Sequence, residues 1–130
     1  KIKNRNDMFT TVDMIEINLL NRVTTFMKYG ACPTYILRDH EIIEVESKTL
    51  PMGIVSPLET MIQKQTLKEN DMIFMVSDGF SGHFREFLKD NEYLIGDDHP
   101  KDIAHLFMTL ANDEQRNDDM TIMVLKICKQ

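Results

Sequence analysis

The apolar pattern is most continuous at Met72–Val76, where five consecutive apolar residues run directly into Ser77-Asp78-Gly79. An apolar run of this length that stops at a turn tripeptide is typical of a strand buried on both faces. Near the other end of the chain, Asn117-Asp118-Asp119 comes directly before a second largely apolar run at 120–125. One Asp therefore leaves a predicted strand and another enters one, forty positions later. If these two strands are neighbours, the two carboxylates meet.

The remaining strands are predicted before Met72, and both helices are predicted after Gly79. Alternation and β-branched residues predict two hairpins and one weaker strand, at 9–17 with 22–29, at 34–37 with 41–45, and at 61–67. The Pro- and Gly-marked segment 50–55 is typical of a bent edge strand. After Gly79 the apolar period becomes helical, which predicts a short helix containing Phe80 and Phe84 and a longer one at 100–111. We therefore predict an α+β domain rich in antiparallel β-sheet, with two late helices.

Composition limits the class of protein. The 130 residues fit one domain with a sizeable core, and a net charge of −6 with no clustered Lys or Arg argues against a nucleic-acid partner. No apolar run approaches the ~18 to 20 residues that span a bilayer, so we expect no membrane contact by this segment. Cys32 and Cys128 predict two reduced, partly buried thiols in a reducing compartment, with a single disulfide as the alternative.

Asp78 and Asp118 supply the ligand type that Mg²⁺ and Mn²⁺ prefer, because hard divalent ions bind carboxylates and keep several waters. Such an ion activates water for attack on a phosphoryl group, so hydrolysis needs no nucleophile from the protein. Ser-Asp-Gly is also a common turn, and Asn-Asp-Asp is common before a strand. Taken singly, each motif is therefore weak. Their order and their strand context carry the hypothesis.

Four motifs resemble the C-terminal half of the metal-dependent serine/threonine protein phosphatases, the PPM family. The branch that they resemble is the bacterial one typified by the phosphatase domain of stage II sporulation protein E. The motifs, in chain order, are Lys28-Tyr29-Gly30-Ala31-Cys32-Pro33-Thr34, Leu50-Pro51-Met52-Gly53-Ile54, Ser77-Asp78-Gly79-Phe80 and Asp118-Asp119-Met120-Thr121. The resemblance covers most of the chain and implies that the fold is part of a PPM-type α/β sandwich.

The resemblance implies a hydrolase in which Asp78 and Asp118 are catalytic residues that bind the same metal ion. Gly79 would let the backbone turn close to the metal, and Asp119 would orient the loop. The complete domain would hold two Mn²⁺ or Mg²⁺ ions and act on phosphoserine or phosphothreonine of a protein substrate. That substrate is expected to be an anti-sigma-factor antagonist, in sporulation or in stress response. The resemblance assigns no oligomeric state.

The family also has an Asp-Gly-x-Gly passage in its N-terminal half, and this sequence has none. Asp7 and Asp13 are not candidates, because neither is followed by Gly and Asp13 lies within a predicted strand. We therefore expect residues 1–130 to form a partial domain of a longer cytoplasmic phosphatase or of a membrane-anchored one. The alternative is a non-catalytic regulatory module that keeps the scaffold without a competent metal site. Lys28 has either a structural role or a role in steering an anionic phosphoprotein.

Overall fold

The computed structural model describes residues 11–47, 62–80, 83–112 and 119–129. Within these ranges the chain forms seven strands and two α-helices: β1 (Val12–Ile17), β2 (Val23–Tyr29), β3 (Thr34–Arg38), β4 (Glu41–Val45), β5 (Ile62–Thr66), β6 (Met72–Val76), α1 (Phe84–Asn91), α2 (Pro100–Asn112) and β7 (Ile122–Lys126). Two short 3-10 turns, Asp78–Phe80 and Glu92–Leu94, precede and follow α1. None of the helices in these ranges is long and apolar enough to cross a membrane.

The strands form two antiparallel sheets, one of three strands in the order β1-β2-β5 and one of four in the order β4-β3-β6-β7. β6 is an interior strand, as its continuous apolar sequence predicts, and only Met75 in it is not fully buried. Its neighbour on one side is β7, with Val76 opposite Ile122. The two strands that the acidic motifs flank are therefore adjacent, so the condition for the two motifs to meet is fulfilled.

The two faces of β6 contact different layers. Phe74 packs against the helices, and its ring stacks on Phe107 of α2 at a centroid distance of 5.6 Å. Ile73 faces the other way, into a second core with Phe26 of β2. The molecule thus has three layers, helices on the four-stranded sheet and that sheet on the three-stranded one. Because a buried apolar side chain contributes roughly 1.5 to 3 kcal/mol, β6 is anchored from both sides.

Both hairpins, the strand at 61–67 and the helix at 100–111 are confirmed, with ends shifted by a few residues. Asp39 and His40 turn the second hairpin with φ of 50° and 69°. The predicted start of the first helix is wrong, because Phe80 lies in the preceding 3-10 turn and α1 begins at Phe84. Gly82 lies between them in the sequence, and glycine disfavours a helix by about 1 kcal/mol. The segment 50–55 lies outside the described residues.

Candidate metal centre

Asp78 is held at the end of β6 by the residues that follow it. It opens the 3-10 turn Asp78–Phe80 and is exposed, whereas Gly79 and Phe80 are buried. The ring of Phe80 is 0% exposed and lies 5.2 Å from the ring of Phe84, so the turn is anchored in the aromatic core. The carboxylate therefore lies just beyond the rigid end of β6 and is exposed to solvent, which suits a ligand for a cation.

β7 fixes the other side of this turn through two hydrogen bonds. The Ser77 amide donates to the Thr121 carbonyl at 3.0 Å. The Thr121 amide in turn donates to Ser77 Oγ at 2.8 Å. The ladder between β6 and β7 thus continues beyond its last strand pair. Ser77 thus has a hydrogen-bonding role at this end of the sheet.

Gly79 lies close to Asp119 and Met120 of the second acidic motif. A Cβ added at Gly79 would lie 2.5 Å from the Asp119 carbonyl oxygen and would also overlap Met120 Cγ. A larger residue would therefore push the two backbones apart. The predicted supporting residues Gly79 and Asp119 are thus in direct apposition. Asp118, the predicted partner of Asp78, lies outside the described residues, so its role as a ligand stays a prediction.

Cys32 approaches Asp78 from the β3 side. Its Sγ donates a hydrogen bond to Asp78 Oδ1 at 3.3 Å. Burial, the hydrogen bond to Asp78 and the charge of that carboxylate together raise the pKa of the Cys32 thiol to about 11. The group is therefore a protonated donor at neutral pH. Sequence reasoning missed this contact because it depends on the pairing of β3 with β6. Thr34 lies opposite Met75, and this register brings Cys32 close to Asp78.

Lys28 is 0% exposed and has a structural role. Its Nζ donates to Asp13 Oδ1 at 2.6 Å and to Thr34 Oγ1 at 2.8 Å. The buried ammonium thus ties β2 to β1 and β3, since a buried charge needs paired and hydrogen-bonded neighbours. The alternative that Lys28 steers a phosphoprotein is wrong. Asp13 lies in β1 and is committed to this ion pair, in agreement with its exclusion as a candidate ligand.

The donor chemistry at Asp78 fits a hard divalent cation. Within the described ranges, no Lys or Arg forms an ion pair with Asp78. The same ranges contain no group of three or more His, Cys, Asp or Glu side chains that could hold a metal ion. One or two carboxylates completed by water is nevertheless the usual ligand set for Mg²⁺. Cys32 and Cys128 are not joined to each other; Cys32 is partly buried, as predicted, whereas the same prediction is wrong for Cys128, which is exposed.

Comparisons with known proteins point to one family. The family described as Stage II sporulation protein E (SpoIIE) matches residues 1–127. Stage II sporulation protein E of Priestia megaterium is 30% identical over 97% of this chain, and the chain spans 23% of that relative.

Solved structures agree with this match. The phosphatase domain of the cell fate determinant SpoIIE from Bacillus subtilis, presoaked with Mn, is 28% identical with a TM-score of 0.76. That alignment covers 93% of this chain and 57% of the solved chain. The catalytic domain of the serine threonine protein phosphatase PstP, in complex with two manganese ions, is 18% identical with a TM-score of 0.70. That alignment covers 92% of this chain and 59% of the PstP chain, and at this identity it shows a similar fold. The chain belongs to the stage II sporulation protein E family.

Proposed function

We propose that the protein containing this chain is a metal-dependent phosphatase that hydrolyses phosphoserine or phosphothreonine on a protein substrate. The observation that carries this proposal is the contact between Gly79 and the Asp119 backbone at the shared end of β6 and β7. This contact draws the segment after Asp118 against the turn that carries Asp78. The proposal is also supported by membership of the stage II sporulation protein E family, since the similar solved structure from Bacillus subtilis is a phosphatase domain.

In this proposal Asp78 and Asp118 bind one Mn²⁺ or Mg²⁺ ion. A bound divalent ion supplies Lewis acidity toward water and toward a phosphoryl group. The protein contributes position: the buried Phe80 side chain and the Ser77 hydrogen bonds keep the Asp78 end of β6 rigid. The second ion of the complete domain would use residues from the part of the domain that this chain does not span. The alignment covers 57% of the solved Bacillus subtilis domain, which leaves room for that part.

The proposed substrate is a phosphoprotein that regulates a sigma factor, such as an anti-sigma-factor antagonist. The sporulation names of the relatives support this choice. A chain with a net charge of −6 repels an anionic phosphoprotein at long range. Divalent cations at the Asp78 end would supply the local positive charge that binding requires. We place the domain in the cytoplasm, including the case in which it is part of a membrane-anchored parent.

Mn²⁺ titration by calorimetry tests the proposal in the full-length protein that contains this chain. We expect Asp78→Asn and Asp118→Asn each to weaken Mn²⁺ binding by at least about 100-fold and to abolish hydrolysis of an aryl phosphate and a phosphopeptide. Asp90→Asn is the matched control, because Asp90 is an exposed aspartate on α1. That variant should bind and hydrolyse like the wild type.

The alternative is a regulatory module that keeps the phosphatase scaffold without turnover. One observation favours it, namely that the described residues do not bring three ligating side chains together. In that case the wild type and both aspartate variants would bind Mn²⁺ equally weakly, and the aryl phosphate would remain intact. Equal affinity in all of these proteins would therefore reject the enzyme proposal.

A further inference from the structure

We propose that Cys32 is a positioning residue that holds the Asp78 carboxylate in the orientation that binds the divalent cation. This inference rests on the proposed function, since it assigns a role toward the same ion. The contact that carries it is the hydrogen bond from Cys32 Sγ to Asp78 Oδ1 at 3.3 Å.

The backbone of Asp78 and its side chain are fixed from opposite sides. β7 holds the backbone through Ser77 and Thr121. The side chain is exposed and rotates about its own bonds unless a partner restrains it, and the Cys32 thiol on the β3 side is such a partner. A carboxylate that accepts one hydrogen bond through Oδ1 keeps lone pairs on Oδ2 for a cation. Partners of this kind commonly set the orientation of metal-binding side chains.

The thiol comes from a rigid segment. On one side of Cys32, the Ala31 amide donates to Ser47 Oγ at 3.0 Å and Ser47 Oγ donates to the Ala31 carbonyl at 2.9 Å. On the other side, Thr34 is fully buried and accepts the hydrogen bond from Lys28. Pro33, between them, has a fixed φ. Because both flanks are tied down, the donor stays in place while the exposed carboxylate adjusts to it.

A neutral donor suits this position better than a charged one. A Lys or Arg beside Asp78 would neutralise the carboxylate and compete with the cation, because charge-assisted hydrogen bonds are roughly twice as strong as neutral ones. The nearby ammonium, that of Lys28, is directed to Asp13 and Thr34 instead. The thiol therefore orients Asp78 and leaves its negative charge for the metal ion.

The test compares Cys32→Val with Cys32→Thr in the full-length protein, because these side chains have the same shape and only Thr carries a donor. Both are β-branched and suit the extended conformation that precedes a proline. Calorimetry should give a Mn²⁺ Kd about threefold to tenfold higher for the Val variant than for the Thr variant. Melting temperatures without metal report the stability difference between the two variants, and the rise in melting temperature on adding Mn²⁺ should be smaller for Val. Cys128→Ala is the control, since Cys128 is exposed and its Sγ lies 3.9 Å from the Lys126 carbonyl oxygen of its own segment.

If the Val and Thr variants bind Mn²⁺ equally well while Asp78→Asn binds it more weakly than the wild type, the role of Cys32 is rejected and the proposed function stands. If Asp78→Asn binds as tightly as the wild type, the proposed function and the role of Cys32 both fail. Should either β-branched variant fail to fold, Cys32→Ala and Cys32→Ser repeat the comparison. In that pair the Ser hydroxyl should restore at least part of the lost affinity.

Discussion

The two ends of β6 carry aspartates in opposite environments. Asp71, just before the strand, is 1% exposed, and Arg38 donates to both of its oxygens, from Nε at 2.9 Å and from Nη2 at 2.6 Å. The Lys68 amide adds a third hydrogen bond at 2.8 Å. Asp78, just after the strand, is exposed, and its carboxylate accepts a hydrogen bond from the neutral thiol of Cys32. One strand thus connects a carboxylate that is paired with a guanidinium to one whose hydrogen-bond donor is a neutral thiol.

The difference follows from what each environment demands. A buried carboxylate must be paired and fully hydrogen-bonded, so Asp71 is committed to the fold. The hydrogen bond from Arg38 to Asp71 also raises the pKa of the guanidinium, because it stabilises the cation. An exposed carboxylate has no such need, and a rigid one without a basic partner is available to a metal ion. Exposure and the charge of the partner therefore separate the structural aspartate from the functional candidate.

Exchanging each aspartate for asparagine should give the largest contrast. Asp71→Asn should lower the free energy of unfolding by about 3 kcal/mol, at the lower end for a broken buried pair because Arg38 is partly exposed. Asp78→Asn should leave stability within about 0.5 kcal/mol, as expected for a surface change. Urea denaturation of the full-length variants measures this. A loss of stability at Asp78 as large as that at Asp71 would break the comparison.

Gly79→Ala tests how tightly the Asp78 end is packed. The added methyl would meet the Asp119 carbonyl oxygen at 2.5 Å, which is backbone and yields little, so we expect a loss of about 2 kcal/mol. Mn²⁺ affinity should fall as well, because the two acidic motifs move apart. Gly96→Ala is the control, since a Cβ at Gly96 meets nothing within 4 Å. Equal stability of the two variants would show that the close approach at Gly79 is not a constraint.

Tyr35, which pairs with Phe74 between the two ends of β6, should make stability depend on alkaline pH. Burial raises the pKa of Tyr35 from its ordinary value of 10.0 to about 12. Because the unfolded chain releases the proton first, this stabilisation is complete below pH 10 and is lost as the pH rises to 12. Between pH 10 and pH 12, the free energy of unfolding of Tyr35→Phe should therefore fall by about 1 to 2 kcal/mol less than that of the wild type.

Denaturation at intervals between pH 9 and pH 12 measures this effect. Tyr93→Phe is the control, since Tyr93 is 78% exposed. An identical alkaline slope for the Tyr35 variant and the wild type would contradict the prediction.

The sequence predicts the elements and the ends of β6 because both depend on local pattern. A continuous apolar run identifies β6, and a change of period after Gly79 identifies the helices. Lys28 is instructive in this respect. It shares a face of β2 with the buried residues Thr24 and Phe26, so alternation alone could have indicated that its side chain is buried.

The contacts that distinguish the two ends of β6 could not be predicted in the same way. The Cys32–Asp78 contact spans 46 positions and the Arg38–Asp71 contact spans 33. Both depend on β3 lying next to β6 in the order β4-β3-β6-β7. Local periodicity identifies strands without indicating which of them are neighbours, so a register is needed before these partners are visible.

Ser77→Ala should have the smallest effect and the most local one. It removes the acceptor of the Thr121 amide, and because that amide is exposed, water replaces part of the lost bond. We expect a loss of about 0.5 to 1 kcal/mol in the free energy of unfolding, together with weaker Mn²⁺ binding, since the segment before β7 is less firmly held. Thr109→Ala is the matched control, because its hydroxyl donates to the His105 carbonyl of its own helix. If Ser77→Ala changes stability but leaves Mn²⁺ affinity intact, the hydrogen bond serves the sheet alone, and the close contact at Gly79 is what positions the acidic motifs.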